Sequence, residues 1–166
     1  MDLLSEDRCR YPGGRMPRVQ RYFRLAGRGG LFKLIYKPLF IIERNKRNID
    51  LAVEANIGGG LYLGHPSGFT INSHAVIGRN CSIHKGVLIG RENRGERSGV
   101  PTIGDEVWIG INAAIVGKIN IGNDVLIAPN SYVNFDVPDH SIVFGNPAVI
   151  KHRDHATEGY INNKAD

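Results

Sequence analysis

The sequence predicts a mainly β protein wound into stacked three-sided coils, and three features of its 166 residues say so. An aliphatic residue recurs every six positions from Leu51 to Val133, with two interruptions. A small or apolar residue stands four places after nearly every one of them, at Ala55, Ala75, Cys81, Val87, Val107, Ala113 and onward. Glycine is abundant, at 21 residues, against one Trp and two Met, which favours turns. A period of six cannot keep one face of an α-helix inward, whereas a short strand plus a turn repeats at that length.

The beat runs through Leu51, Ile57 and Leu63, then Ile71, Ile77, Ile83 and Ile89, then Ile103, Ile109, Ile115, Ile121, Ile127 and Val133. In each hexad the aliphatic residue points into a narrow core. The next residue, often glycine (Gly58, Gly78, Gly104, Gly110, Gly122), lets the backbone bend, and the fifth fills the corner. Three such sides close a coil of about 18 residues, and coils stack by parallel hydrogen bonding. The thirteen hexads predict about four coils.

Two interruptions break the beat. Leu63 to Ile71 spans eight residues instead of six and holds His65, Pro66 and Gly68. Ile89 to Ile103 spans fourteen, and its middle, Arg91 to Pro101, is polar and rich in glycine and proline, so it reads as a loop beside one hexad. Solenoids place such insertions on a face that often binds or reacts, which makes His65 the first candidate for chemistry.

Before the repeats, residues 1–16 read as an irregular lead with Pro-Gly-Gly punctuation. From Pro17 the apolar residues Val19, Tyr22, Phe23, Leu25 and Ala26 recur at helical spacing, and Gly27, Gly29 and Gly30 end that helix. Leu31 to Arg47 forms a second, basic amphipathic pattern, kinked or divided at Pro38. After the repeats come a last strand, Ser141 to Phe144, a Gly-Asn-Pro turn and a polar tail. The predicted organisation is a basic helical arm (1–50), a β-helix (51–150) with a protruding loop (91–102), and a tail (151–166). Arm and tail cap the exposed ends of the stack.

Charge is uneven. Residues 1–50 hold 12 Lys+Arg against 5 Asp+Glu, while the remaining 116 hold 9 against 11. A body without a basic surface argues against nucleic-acid binding. The arm either packs an apolar stripe onto the end of the fold or lies on an anionic membrane surface. Cys9 and Cys81 are far apart and match no zinc or disulfide pattern. With no signal-peptide pattern and no apolar run long enough to span a bilayer, a cytoplasmic protein is expected, if need be at the inner face of a membrane.

Residues 48–150 resemble the left-handed parallel β-helix acyltransferases of the hexapeptide-repeat family, and within it the serine acetyltransferase-like branch. The hexads carry the resemblance, with the segment Gly60-Leu-Tyr-Leu-Gly-His-Pro-Ser-Gly, the run Gly86-Val-Leu-Ile-Gly, the run Pro101-Thr-Ile-Gly-Asp-Glu-Val-Trp-Ile-Gly, Asp136-Val-Pro and Gly145-Asn-Pro-Ala148. The family implies the left hand of the coil, a homotrimer with active sites between subunits, and acetyl-CoA as co-substrate. In serine acetyltransferases a catalytic His follows an Asp by fifteen positions, and Asp50 stands fifteen before His65. The resemblance therefore implies a dyad in which His65 takes a proton from an acceptor hydroxyl and Asp50 orients the ring and steadies its charge. It places pantetheine along Gly110, Ile111, Ala128 and Pro129, with Lys151 and Arg153 for the nucleotide phosphates. Arg94, Arg97 and His84 are candidate acceptor contacts, each with a plain solvated reading beside it. Trp108 is expected to pack outward, against a neighbouring subunit or the loop. No histidine set has ligand spacing, so no metal is expected.

The sequence departs from that branch at Gly64, where the family has an acidic residue, and at Ser98, where it has a histidine after the loop arginine. The large helical N-terminal domain is replaced by about 50 residues. On these grounds the expected function is O-acetylation of a sugar hydroxyl in exopolysaccharide or capsule assembly. Serine O-acetylation is the alternative, and a non-catalytic β-helix scaffold or glycan-binding module is the alternative of another class.

Overall fold

The structure, a computed structural model, describes residues 3–165. Three α-helices lead into a parallel β-helix: α1 (Leu3–Cys9), α2 (Arg18–Gly27) and α3 (Gly30–Lys46). The first coil is β1 (Asp50–Leu51), β2 (Asn56–Ile57) and β3 (Tyr62–Gly64), and the second is β4 (Thr70–Ile71), β5 (Val76–Ile77) and β6 (Ser82–His84). The third is β7 (Leu88–Gly90), β8 (Thr102–Ile103) and β9 (Trp108–Ile109), and the fourth β10 (Ala114–Val116), β11 (Asn120–Ile121) and β12 (Val125–Ile127). A fifth coil holds β13 (Tyr132–Val133) and β14 (Ser141–Gly145), after which β15 (Ala148–His152) turns back antiparallel along β14. Strands of equal rank in successive coils pair in parallel and form three faces.

The pairing register is the hexad register. Leu51 meets Ile71, Ile71 meets Ile89, Ile115 meets Ile89 and Val133 on the first face, and the other two faces follow the same rule. Each of these residues is buried in one continuous core. Where the second face turns into the third, glycines stack so tightly that a Cβ on Gly78 would stand 2.5 Å from the Gly104 carbonyl oxygen, and one on Gly104 2.8 Å from that of Gly122. The repeated glycine is therefore a requirement of coil-to-coil contact as well as of bending. Cys81 fills its corner fully buried, and burial pushes its thiol up to about 12.

The stack has five coils where about four were expected. The difference is Val137, which the six-residue beat leaves as a corner filler. It stands only four residues after Val133, yet it is buried and bridges to Ile121 on the second face. A two-residue shortening thus closes a fifth turn, with the Asp136 carboxylate accepting the Asn120 N–H beside it.

Two expectations at the ends of the chain are corrected. The lead expected to be irregular contains α1 and a 3-10 turn at Pro12–Gly14. α3 runs through Pro38 undivided, because Pro38 lies on the exposed side, where water reaches the carbonyl it leaves without a partner. The tail after β15 is ordered against the body.

Polar side chains close the bottom of the stack and hold the tail along its side. Below the first coil no strand exists to bond β3, and α1 and α2 substitute for one. Asp7, fully buried, accepts the Leu61 N–H at 2.9 Å, Gln20 Nε2 at 2.8 Å and Arg24 Nε at 2.7 Å. Arg24 in turn donates to the Ile57 carbonyl, Gln20 to the Leu61 carbonyl, and the Tyr11 hydroxyl accepts the Leu63 N–H. Burial pushes the Tyr11 phenol up, so it stays protonated. From the top, the tail descends the corner between the second and third faces. Asp124 of the fourth coil accepts the Ala156 and Thr157 amides, both at 2.9 Å, and the Thr157 hydroxyl at 2.6 Å. Lys164 meets Glu106 of the third coil, and the Asn80 amide of the second bonds both main-chain groups of Ala165.

Asp7→Ala strands a buried guanidinium and two amide donors; it is expected to cost about 3–5 kcal/mol in urea unfolding. Asp124 gives a pH signature. Burial acts to raise its pKa, but hydrogen bonds from Thr157, His140 and the Ala156 amide outweigh that and hold it at about 2. The His140 ring bonded to it is raised by the same carboxylate. Asp124 contributes stability above its unfolded pKa of about 4, lost as pH falls toward 2. His140 contributes below about 6.5, lost as pH rises through its raised value. The stability gap between the native chain and Asp124→Asn, followed by thermal unfolding against pH, is expected to be widest from about pH 4 to 6.5.

Candidate active site

The eight-residue interval resolves into a bulge at the corner where the third face turns into the first. The Gly86 amide of the second coil bonds the Ser67 carbonyl of the first, so the ladder resumes at Ser67 and the two extra residues are His65 and Pro66. His65 is exposed and has a left-handed φ of 54°, a conformation costing roughly 1–2 kcal/mol for a side chain of this kind. The same left-handed turn recurs at Asn112 and Asn130 of this corner and at the exposed His140 and His155, so the break in the ladder, not the backbone conformation, singles out His65. Its loop ends at Phe69, whose carbonyl accepts the Asp50 N–H, and Asp50 stands opposite Thr70 at the open edge of the first face. The predicted pair thus lies at the two ends of one short loop. Among the described residues no hydrogen bond or ion pair joins Asp50 to His65, and both side chains are exposed to solvent.

His84 occupies a different place from the solvated position read for it. It pairs with Gly64 across β3 and β6, and its Nδ1 lies where a side chain at Gly64 would have to go. The ring packs 4.7 Å from Trp108 and 6.3 Å from Tyr62, half-buried. Burial pushes its pKa down, and nearby His65 pushes it further the same way, so it is neutral at pH 7. Its Nε2 is buried without a partner. Trp108 does pack outward, but against His84 and, edge to face at 5.0 Å, Tyr160 of the tail. Tyr62, Tyr160 and Arg10 join them around a cavity of about 290 Å³, and the sequence reading missed all three. The available signal was that Tyr62 and Trp108 each precede a core aliphatic on the third face.

The remaining candidates fall at separate corners. Gly110, Ile111, Ala128 and Pro129 continue the His65 corner upward: the Asn112 amide bonds Lys85, and the Asn130 amide bonds Ile111. At about 4.8 Å per coil, Pro129 stands about 14 Å above the His65 loop. No side chain fits at Gly110, whose Cβ would come 2.6 Å from the Pro129 nitrogen. Gly110 thus keeps one point of this edge free of a side chain, while Ile111, Asn112, Pro129 and Asn130 are exposed along it and His65 stands at its foot. Lys151 and Arg153 lie elsewhere. β15 carries Lys151 across the third face opposite Ile142, and Arg153, just past its end, is bonded through its amide to His140 at the far corner. The 91–101 loop leaves the corner between the first and second faces, where the Arg97 carbonyl accepts the Lys118 amide and its guanidinium reaches the Asn134 carbonyl. Arg94 is exposed on the same loop. Within one chain, Arg94 and Arg97 are therefore not brought to His65. Among the described residues no group of three His, Cys, Asp or Glu side chains is placed to hold a metal ion.

Comparison with known proteins agrees with this architecture. The family model described as bacterial transferase hexapeptide (six repeats) matches residues 101–134. The chain is 41% identical over 100 residues to serine acetyltransferase 2 of Arabidopsis thaliana, covering 60% of this chain and 31% of that protein. It is 32% identical over 117 residues to the serine acetyltransferase of Helicobacter pylori, covering 70% of this chain and 68% of that one. The crystal structure of serine acetyltransferase from Brucella abortus superposes with a TM-score of 0.73 at 28% identity, covering 93% and 68%. The chain thus spans about a third of the length of its Arabidopsis relatives and about half to two thirds of the bacterial ones. Hexad register, five stacked coils and these similarities together establish that the chain belongs to the hexapeptide-repeat acyltransferases, in the serine acetyltransferase branch.

Proposed function

We propose that this protein is an acetyl-CoA-dependent O-acetyltransferase in which His65 is the general base. The observation that carries the reading is the exposed imidazole set out by the break in the ladder, at the foot of the corner where Gly110 packs against Pro129. His65 takes the proton of an acceptor hydroxyl as its oxygen attacks the thioester carbonyl carbon. The tetrahedral adduct collapses by breaking the carbon–sulfur bond, and the imidazolium returns its proton to the departing thiolate. Asp50 becomes the orienting carboxylate once the short loop between them closes. The pantetheine arm lies along Gly110, Ile111, Ala128 and Pro129. Arg94 and Arg97 reach the acceptor from a neighbouring copy in a homotrimer, a reading supported by the two hexad breaks lying at different corners.

The acceptor favoured by the relatives is L-serine, since they are serine acetyltransferases. This reverses the preference for a sugar drawn from the sequence. A sugar hydroxyl remains the second reading on one observation: His84, neutral, fills the space at Gly64, so this point beside His65 presents an uncharged imidazole to the acceptor.

A CoA-release assay with L-serine against nucleotide sugars and oligosaccharides decides between the acceptors, and turnover confined to the sugars would reject the serine reading. His65→Ala is expected to lower kcat by about a hundred- to ten-thousandfold on the preferred acceptor while leaving CoA affinity unchanged. Acetyl-CoA at about a hundred times its Kd is expected to stabilise the fold by about 2.7 kcal/mol in thermal unfolding. No stabilisation would favour a non-catalytic scaffold.

A further inference from the structure

α3 turns a mixed face to the body, where Phe40 and Tyr36 pack against α2. Lys33 and Lys37 both reach Glu54, and Arg44 donates to the Leu51 carbonyl. Its apolar side faces out. Leu31 is 69% exposed, Leu34 74%, Ile35 51% and Ile42 49%, with Leu39 and Pro38 between them. Phe40 alone is fully buried. Spacings of three, four, seven and eleven residues place Leu31, Leu34, Ile35, Pro38 and Ile42 in one stripe along a helix of 17 residues, about 25 Å long. A contiguous apolar stripe of this size on an otherwise polar surface marks a contact site.

The surrounding charge identifies what the stripe meets. Residues 15–47 hold ten Lys and Arg against a single acid, Glu43. Arg15, Arg18 and Lys46 are exposed among them. A second copy docking here would bring two such cationic arms together, and like charges oppose that. No helix among the described residues is long and apolar enough to cross a membrane. An exposed apolar stripe on a helix that does not span, carried by an arm so rich in cations, is the pattern of a segment lying in a bilayer interface. We propose that the outer face of α3 docks on the surface of an anionic membrane, with Leu31, Leu34, Ile35 and Ile42 entering the headgroup boundary. This surface lies on the arm, independent of acetyl transfer and its acceptor.

Co-sedimentation with vesicles of phosphatidylcholine alone, and of phosphatidylcholine with phosphatidylglycerol, tests it. Binding is expected to be about tenfold or more tighter to the anionic vesicles and to weaken as salt is raised. The double substitution Leu34→Glu with Ile35→Glu is expected to remove it, with an unchanged circular dichroism spectrum. The milder pair Leu34→Ser with Ile35→Ser is expected to weaken it by about tenfold. Absence of binding to anionic vesicles would overturn the proposal. So would sedimentation of the free protein as a larger assembly that the same substitutions dissociate, since the stripe would then belong to a second copy.

Discussion

A parallel β-helix is held together by backbone hydrogen bonds from each coil to the next, and that ladder has two raw ends. Much of what lies outside the repeats serves those ends. At the bottom, Asp7, Tyr11, Gln20 and Arg24 take the place of an absent coil, offering side-chain donors and acceptors where backbone partners would have stood. At the top, β15 turns back to pair with β14, so the final parallel strand is not left open to another chain.

The same ladder explains the form of the candidate site. Because each corner must match the corner above it, a corner can accept an insertion only by bulging outward and rejoining the ladder, as His65 and Pro66 do before Ser67. The bulge puts an imidazole in solvent beside an edge where Gly110 excludes side chains by contact with Pro129. A narrow core, a close-packed corner and an exposed imidazole are three outcomes of one stacking rule. His84 shows the rule acting sideways: with no side chain at Gly64, the ring of the next coil folds over it and loses its charge by burial beside a second histidine.

The hexads were fully legible in the sequence because their period is enforced at every step: each core aliphatic from Leu51 to Val133 meets its counterpart one coil away. The fifth coil was not, because Val137 arrives two residues early and only its bridge to Ile121 reveals its face. His65 could be found from the break in the beat. The cavity around Tyr62, Trp108, Tyr160 and Arg10 could not, since it joins residues from both ends of the chain to the third face. The position of Lys151 and Arg153 was likewise hidden, because it depends on the direction in which β15 crosses that face. The helical arm was legible as helices, and α2 buries Val19, Phe23 and Ala26 as its stripe predicts, but α3 leaves Leu31, Leu34, Ile35 and Ile42 outside, since hydrophobic periodicity reports a stripe without saying which side the body will cover.

The tail running down one corner changes how the molecule comes apart. A simple stack of repeats behaves as a one-dimensional array, able to lose its terminal coil while the rest stays folded. Here Asp124, Glu106 and Asn80 tie the last residues of the chain to the fourth, third and second coils, and Cys9 of α1 reaches the same strap at Asn163. Fraying at the top therefore pulls on the bottom, and the two ends of the array become one cooperative unit.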